Sequence, residues 1–279
     1  MVGTLLLPVL AVIQTLDSTY DRRALWLAHG PGTTGVVQGI QASPVGGGFF
    51  VVNAHVLERA PDRIRLEYRA SRAAFKRYTV FGGLQIAGML ATITYYGGRH
   101  HPTWKPGLGI GLPIATFAVG WAGQRNATGG EDHLRRAMWW YNREFPRTTS
   151  DSVCSYDRCA MRVRRRVSSD QLVQGLSEIP AGSLDSQLEL FAAAGDSARA
   201  HYETYRSITE SNRKGTRIAR VAFLGAGVLY ASSNNKVARG FSLGLLALAY
   251  GAGHMTVYGV AQAESELDQA IWFYNRTLP

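Results

Sequence analysis

Apolar positions of this chain are concentrated in four blocks separated by polar sequence. Residues 78–96 form one block with Gln85 as its polar interruption, and residues 241–263 form another. Two shorter blocks cover residues 110–122 and 221–232. At about 1.5 Å of rise per residue, a helix of roughly 20 residues covers a hydrocarbon core of about 30 Å. The pattern therefore predicts helices, and the two longer blocks have the length of membrane spans.

The order of the blocks pairs a long one with a short one in each half of the chain. This order predicts two helical hairpins, one over residues 78–127 and one over residues 218–263. We expect each hairpin to enter a membrane. The alternative is a pair of soluble hairpins rich in alanine and glycine, because blocks of 12 to 14 residues are also typical of buried helices.

The end of the chain resembles its middle. Residues 107–146 align without gaps on residues 240–279, with roughly 12 of 40 positions identical. Repeats of this length indicate duplicated architecture. The alignment predicts two tandem-duplicated modules, residues 17–146 and 147–279, after an apolar segment at residues 1–16 that serves as a signal-like sequence or a membrane anchor.

Each predicted module ends in an amphipathic segment, Glu131 to Arg143 in the first and Glu264 to Arg276 in the second. Tryptophan and tyrosine are enriched where lipid meets water, so the aromatic residues of these segments are predicted to lie at the membrane interface. They are Trp139, Trp140, Tyr141, Trp272, Phe273 and Tyr274. Small residues spaced four apart allow close helix packing in lipid. The glycines assigned to this role are Gly83, Gly107, Gly111, Gly240, Gly244 and Gly253.

Charge favours an anionic partner. The chain has 30 Lys and Arg against 20 Asp and Glu, a net charge of +10, and its sharpest basic run comprises Arg162, Arg164, Arg165 and Arg166. No aromatic platform or groove-reading motif accompanies this run, so we expect anionic lipid or a protein carboxylate as its partner and no nucleic acid.

Cys154 and Cys159 are the two cysteines, and their spacing allows a small disulfide loop that persists in an oxidising compartment. The cysteines favour a periplasmic location for the larger polar segments. The excess of Lys and Arg beside the hairpins favours the cytoplasm instead. We predict the bacterial cell membrane with these segments in the periplasm, and the orientation stays open.

Reactive chemistry is not indicated by any motif. The glycine frame of a phosphate-binding loop is missing around Lys214. His100 and His101 are adjacent and have no carboxylate beside them, so we predict no metal site there. His254 lies inside the longest apolar block, where a helix-to-helix hydrogen bond is the favoured role. We therefore predict no enzyme activity, no catalytic residue and no cofactor.

One motif is similar to a known family. Cys154-x-Tyr156-Asp157-x-Cys159-Ala160-Met161-Arg162, followed by an apolar hairpin and a terminal Ala-Ile-Trp-Phe-Tyr-Asn, resembles a family of bacterial exported proteins that has no assigned activity. The likeness covers nearly all of the second half and, more weakly, the first. It implies export and supplies no function. The first half lacks the cysteines, and the N-terminal segment lacks the basic residues of a signal peptide.

These observations predict a mainly α-helical membrane protein of two tandem-duplicated modules. Each module is expected to hold a small polar segment with minor β content, a helical hairpin and an interfacial amphipathic helix. The predicted function is a non-catalytic accessory or scaffolding subunit of a larger bacterial membrane complex, respiratory or photosynthetic in type, whose partners are other membrane subunits and anionic lipids. A small transporter or lipid-handling protein and a soluble periplasmic binding module are the alternatives.

Overall fold

The computed structural model describes nine segments of the chain. They comprise residues 19–30, 33–40, 54–97, 106–145, 154–164, 171–176, 179–182, 187–232 and 236–278. The apolar segment predicted at residues 1–16 lies outside them. So do His100, His101, Arg165 and Arg166.

The described residues of the first half form four helices and one strand pair. Antiparallel strands β1 and β2 pair with Leu25 opposite Gln38 and Gly30 opposite Thr33. In chain order the elements are α1 (Thr19–Arg23), β1 (Leu25–Gly30), β2 (Thr33–Gln38), α2 (His55–Glu58), α3 (Asp62–Gly97) and α4 (Pro106–Arg143).

The second half begins with α5 and a sheet of three antiparallel strands in the order β3-β4-β5. Met161 pairs with Gln174, and the register of the second pair shifts between Leu172 and Val173. The elements are α5 (Tyr156–Cys159), β3 (Met161–Arg164), β4 (Gln171–Gln174), β5 (Ile179–Gly182), α6 (Leu188–Ala193), α7 (Asp196–Ser232) and α8 (Lys236–Arg276).

Two helical hairpins dominate the molecule. We call α3 with α4 the first arm and α7 with α8 the second arm, and each pair is in extensive contact. The helices contain 36 to 41 residues, which corresponds to about 54–62 Å at 1.5 Å per residue. The predicted hairpins are therefore present as longer helices. The amphipathic tails are continuous with α4 and α8 and do not form separate interfacial helices.

Close helix contact in the first arm depends on glycines other than those predicted. A Cβ on Gly130 would lie 3.2 Å from the Ala74 Cβ, and one on Gly123 would lie 3.2 Å from the Phe81 Cβ. Gly83, Gly111 and Gly244 face open space, since a Cβ there would meet nothing within 4 Å. Gly107, Gly240 and Gly253 lie in α4 and α8, at positions where side-chain surroundings are not described.

The strands, the short helices and the final turns of α4 and α8 form a common head. Strand β1 packs mainly on α8, whereas β3 contacts both α4 and α8. Each arm therefore contacts a strand from the other half at its base. The largest buried side chains of the head include Tyr20, Leu25, Leu134, Met161, Leu172, Phe191 and Tyr202. Burial of this apolar surface is the main force that holds the arms to one base.

The prediction of a membrane fold is wrong for the part of the chain that the structure describes. Within those segments, no helix combines the length and the apolar character needed to cross a bilayer. The helices are long, but glycine, threonine, tyrosine and Gln85 interrupt the apolar runs and lower their hydropathy. Charged residues occupy the rest of each arm, as in the first turns of α3.

The prediction of two tandem-duplicated modules as the fold is also wrong. No tandem repeat is evident in the fold as a whole. The described sheets have two strands in one half and three in the other, and a third cluster of buried residues, which includes Tyr20 and Trp272, joins the cores of the two halves. Short segments of the two halves nevertheless make matching contacts, which build the site described next. The boundaries predicted for the modules stay a prediction.

Candidate functional site at the junction of the two halves

Two asparagines fix the strands of the head to the arms. The Asn142 side chain of α4 accepts a hydrogen bond from the Leu25 N–H at 2.6 Å and donates one to the Leu25 carbonyl at 2.7 Å. Asn275 of α8 makes the same two bonds with Met161, at 2.7 and 2.8 Å. All of these groups are buried, so each amide satisfies two backbone groups that would otherwise lack partners.

Neighbouring contacts cross between the halves. Arg143 of α4 binds Asp157 in the second half at 2.5 Å, and Arg276 of α8 binds Asp21 in the first half at 2.6 Å. The Trp139 ring packs 5.2 Å from Tyr156. These contacts, with the asparagine bonds, hold the ends of α4 and α8 side by side.

A cluster of charged side chains lies between α4, α8 and β1. We call it the ionic centre and define it as His29, Glu131, Arg135, Glu264 and Asp268. His29 comes from β1, Glu131 and Arg135 from α4, and Glu264 and Asp268 from α8. The pair of Arg135 and Asp268 joins α4 directly to α8.

Arg135 and Asp268 form the buried pair of the centre. The guanidinium donates to both oxygens of Asp268, and the bond from Nη2 to Oδ2 is 2.9 Å long. Bidentate pairing of this kind combines charge with fixed geometry. Arg135 Nη2 also donates to Glu131 Oε1 at 3.1 Å. One guanidinium is therefore shared by two carboxylates from different halves.

His29 lies between the carboxylates. Its Nε2 is 2.9 Å from Asp268 Oδ2 and 3.6 Å from Glu131 Oε1, while its Nδ1 is 3.5 Å from Glu264 Oε2. Only 4 % of the imidazole is exposed. The two edges of the ring therefore face different carboxylates.

Burial and neighbouring charge change the pKa of Asp268 in opposite directions. Burial alone would raise the pKa of this carboxyl, but the charge of Arg135 and the hydrogen bond with His29 outweigh it, so the pKa is lowered from its ordinary value. Asp268 is consequently ionised at neutral pH. It anchors both Arg135 and His29.

A small cavity of about 40 Å³ lies beside the pair. Arg135, Asp268, Trp139 and Trp272 line it together with apolar residues of both halves. The indole Nε1 atoms of Trp139 and Trp272 are buried and have no hydrogen-bond partner among the described residues. A space of this size can hold ordered water but no organic substrate.

The chemistry of the centre is that of ion pairing and ligation. Thr34, His29 and Asp268 form a chain of hydroxyl, imidazole and carboxylate, in which Thr34 Oγ1 lies 3.4 Å from His29 Nδ1. This contact is at the outer limit for a hydrogen bond. Glu264 faces the same nitrogen, so His29 is not positioned to activate the Thr34 hydroxyl as a nucleophile.

The predicted interface aromatics belong mostly to the head. Trp139, Trp272 and Tyr274 are buried in its core clusters, and Trp140, Tyr141 and Phe273 are partly buried. Arg63 stacks over Trp140, with its guanidinium carbon 3.3 Å from the ring centroid. Packing inside the head therefore accounts for these positions without a lipid surface.

The remaining predicted residues are dispersed. Arg162 is buried and donates to Asp132 at 3.2 Å, whereas Arg164 at the end of β3 is partly exposed. Cys154 and Cys159 lie at disulfide distance, with Cα atoms 5.9 Å apart. His254 lies within α8 at a position whose side chain is not described. None of these residues belongs to the ionic centre.

The sequence contained one signal for the ionic centre. Glu131 and Glu264 are identical positions in the aligned ends of the two halves, yet a charged residue at the start of an amphipathic helix is usually solvated. Arg135 and Asp268 differ between the halves, and His29 comes from a distant strand. Only the fold brings them together.

Comparison with known proteins adds no family or relative. No protein-family model matches the chain, and no curated protein or solved structure matches it. The resemblance to exported bacterial proteins stays a prediction. Functional argument therefore rests on the geometry of the head and the arms.

Proposed function

We propose that this protein is a non-catalytic scaffolding subunit whose head holds two helical arms at a fixed base. The observation that carries this proposal is the large apolar surface exposed on the arms. Nine large apolar side chains among the described residues of the first arm are more than half exposed, and they are Leu66, Val80, Leu84, Ile86, Met89, Leu90, Ile114, Phe117 and Trp121. Contiguous apolar surface on this scale marks interaction sites.

The spacing of these residues indicates binding on more than one side. Ile114, Phe117 and Trp121 follow one stripe of α4 at intervals of three and four residues. On α3, Val80 and Met89 lie on opposite sides of the helix, because nine residues correspond to about 900° of rotation at roughly 100° per residue. A helix that is apolar on several sides is normally enclosed by other structure. The first arm therefore fits a partner that surrounds it.

The second arm repeats these properties. Ile218 and Val221 of α7 are 54 % and 71 % exposed, and Leu248 of α8 is half exposed. Exposed basic residues precede most of the exposed apolar residues on the first arm and alternate with them on the second, and they include Arg69, Lys76, Arg77, Arg206, Arg213, Lys214, Arg217 and Arg220. Apolar surface beside positive charge fits a partner subunit with an apolar helical groove and an acidic rim.

The type of complex is taken from the sequence and is part of the proposal. The respiratory or photosynthetic assembly expected from the sequence, and the anionic lipid expected as a further partner, stay predictions. The absence of catalysis is likewise proposed, on the grounds that the ionic centre is buried and its cavity is too small for a substrate.

The test compares the full-length protein with an arm variant in extracts of the cells that make it. Phe117→Gln with Val221→Gln replaces two exposed apolar side chains by polar ones that are compatible with a helix. The wild type should migrate in a particle much larger than its own 30.5 kDa, and the variant should leave it. Glu203→Gln, an exposed change on α7, is the matched control.

Two further measurements separate the possible occupants of the arms. Mixing tagged and untagged copies tests whether the particle is formed by this chain alone. Co-sedimentation with vesicles of phosphatidylglycerol or of phosphatidylcholine tests for lipid. Wild type and arm variant that both migrate as single chains would contradict the scaffold, and retention by vesicles without any protein partner would replace it with a lipid-binding role.

A further inference from the structure

We infer that the ionic centre is a binding site for one divalent transition-metal ion of the Zn²⁺ or Mn²⁺ type, with His29, Glu131 and Glu264 as ligands. One ligand atom from each of the three residues lies within 4.8 Å of the others. An imidazole nitrogen with two carboxylate oxygens is a donor set that these ions accept. The site is independent of the scaffold proposed above.

The geometry favours the Nδ1 edge of His29. Nδ1 lies 3.5 Å from Glu264 Oε2, and two ligands of one metal ion with bonds of about 2.0–2.2 Å are separated by roughly 3.0–3.5 Å. Glu131 Oε1 lies 3.6 Å from Nε2 of the same imidazole, and a carboxylate oxygen of Glu131 is within 4.8 Å of the ligand atoms of His29 and Glu264. A carboxylate has two oxygens, so Glu131 can keep its bond with Arg135 through one and ligate with the other.

The second nitrogen of His29 supplies an independent argument. Histidines that ligate metals usually donate their other ring N–H to a carboxylate, which fixes the tautomer and the orientation of the ring. His29 Nε2 lies 2.9 Å from Asp268 Oδ2, and Asp268 is held in turn by both terminal nitrogens of Arg135. The imidazole is therefore already oriented with Nδ1 toward Glu264.

Charge balance also favours a divalent cation. Among the five side chains that define the centre, three carboxylates lie beside one guanidinium and one imidazole, so acidic groups outnumber basic ones. The groups are largely buried, with 15 % of the Glu131 side chain and 23 % of the Glu264 side chain exposed. A divalent ion on the Nδ1 edge offsets this excess of acidic groups, while Arg135 stays on the opposite edge with Asp268.

The experiment is a titration of the full-length protein, purified with chelator and then freed of it, with ZnCl₂ and separately with MnCl₂ in a calorimeter. Wild type should bind one ion per chain. Glu264→Gln should weaken binding at least tenfold. The matched control is Glu266→Gln, two residues along α8, where the carboxylate binds His201 at 2.7 Å outside the centre. Asp268→Asn should weaken binding by about ten- to a hundredfold through loss of the oriented imidazole.

The result that overturns the site is equal binding by the Glu264→Gln and Glu266→Gln variants, or no binding by the wild type. The pairs His133–Glu67 and His201–Glu266 could capture Zn²⁺ at the surface, and the control variant detects the second of them. If Glu264→Gln does not fold, Glu264→Asp keeps the charge but withdraws the carboxylate by one methylene. That variant should also lose at least tenfold in affinity, and unchanged affinity would refute the assignment.

Discussion

Replacement of Arg135 by methionine tests whether the ionic centre holds the two arms together. Methionine keeps the length and the helix propensity of the arginine but removes its charge. The change leaves Asp268 without its bidentate partner and Glu131 without its 3.1 Å bond. Breaking a buried pair by removal of one partner costs about 3–5 kcal/mol. We expect Arg135→Met to lower the free energy of unfolding by about that amount.

Substitution of Asp268, the other member of the pair, should lower the free energy of unfolding by less. In Asp268→Asn, Arg135 keeps its bond with Glu131, whereas Arg135→Met removes the one guanidinium that both Glu131 and Asp268 bind. Loss of hydrogen bonds to a charged group costs about 1.5–3 kcal/mol. The double variant should cost less than the sum of the two single variants, with a coupling of about 0.5–3 kcal/mol. This asymmetry is specific to a centre that has more carboxylates than cations.

Urea unfolding followed by circular dichroism measures these free energies, with metal-free protein throughout. Lys214→Met removes an exposed pair with Glu210 and should change stability by less than about 1 kcal/mol. For a chain of this size, 3–5 kcal/mol corresponds to a fall in Tm of about 6–20 °C. A loss below about 1 kcal/mol for Arg135→Met, or strict additivity in the double variant, would refute the reasoning.

Three other substitutions test the head. Asn275→Ala leaves the buried N–H and carbonyl of Met161 without their partner. It should lower the free energy of unfolding in urea by about 2–4 kcal/mol, and a loss under about 1 kcal/mol would contradict the role given to this amide. Gly175→Ala should lower Tm, because Gly175 has a φ of +68° and an added Cβ would lie 2.5 Å from a backbone oxygen; an unchanged Tm would show that the turn adapts. Burial raises the pKa of Tyr68 above its ordinary value of 10.0, so the stability it contributes is complete below pH 10 and is lost as pH rises through its folded pKa. Urea midpoints measured from pH 9 to pH 11 should therefore fall less in Tyr68→Phe than in the wild type, and equal slopes would contradict this.

The hairpins could be predicted from the sequence because their signal is local. Each apolar block and its amphipathic tail lie on one continuous stretch of chain, so period and length indicate the helices directly. Gly129 and Gly130 would ordinarily suggest a break between block and tail. The structure shows α4 continuing through them, because α3 packs against Gly130 at a distance that a larger side chain would not allow. This contact is not visible in a single sequence.

The membrane prediction failed for a related reason. The prediction depended on the length of the apolar blocks. Glycine, threonine and tyrosine residues inside the blocks lower their mean hydropathy, and length alone does not reflect this. The aromatic residues at the ends of α4 and α8 are also ambiguous in a sequence, because tryptophan and tyrosine occur both at lipid interfaces and in buried cores. Trp272 illustrates this, because it packs 5.5 Å from Tyr20 at the opposite end of the chain. That partner could not be assigned without the fold.

The ionic centre explains why the two halves assemble with each other. Arg135 and Asp268 occupy matching positions in the aligned ends of the halves, 133 residues apart, and they meet across the junction. Removal of one partner from a buried charge pair leaves the other charge uncompensated. The opposite charges of Arg135 and Asp268 therefore join the two halves across the junction, while Asn142 and Asn275 each fix a strand of their own half to the adjoining helix.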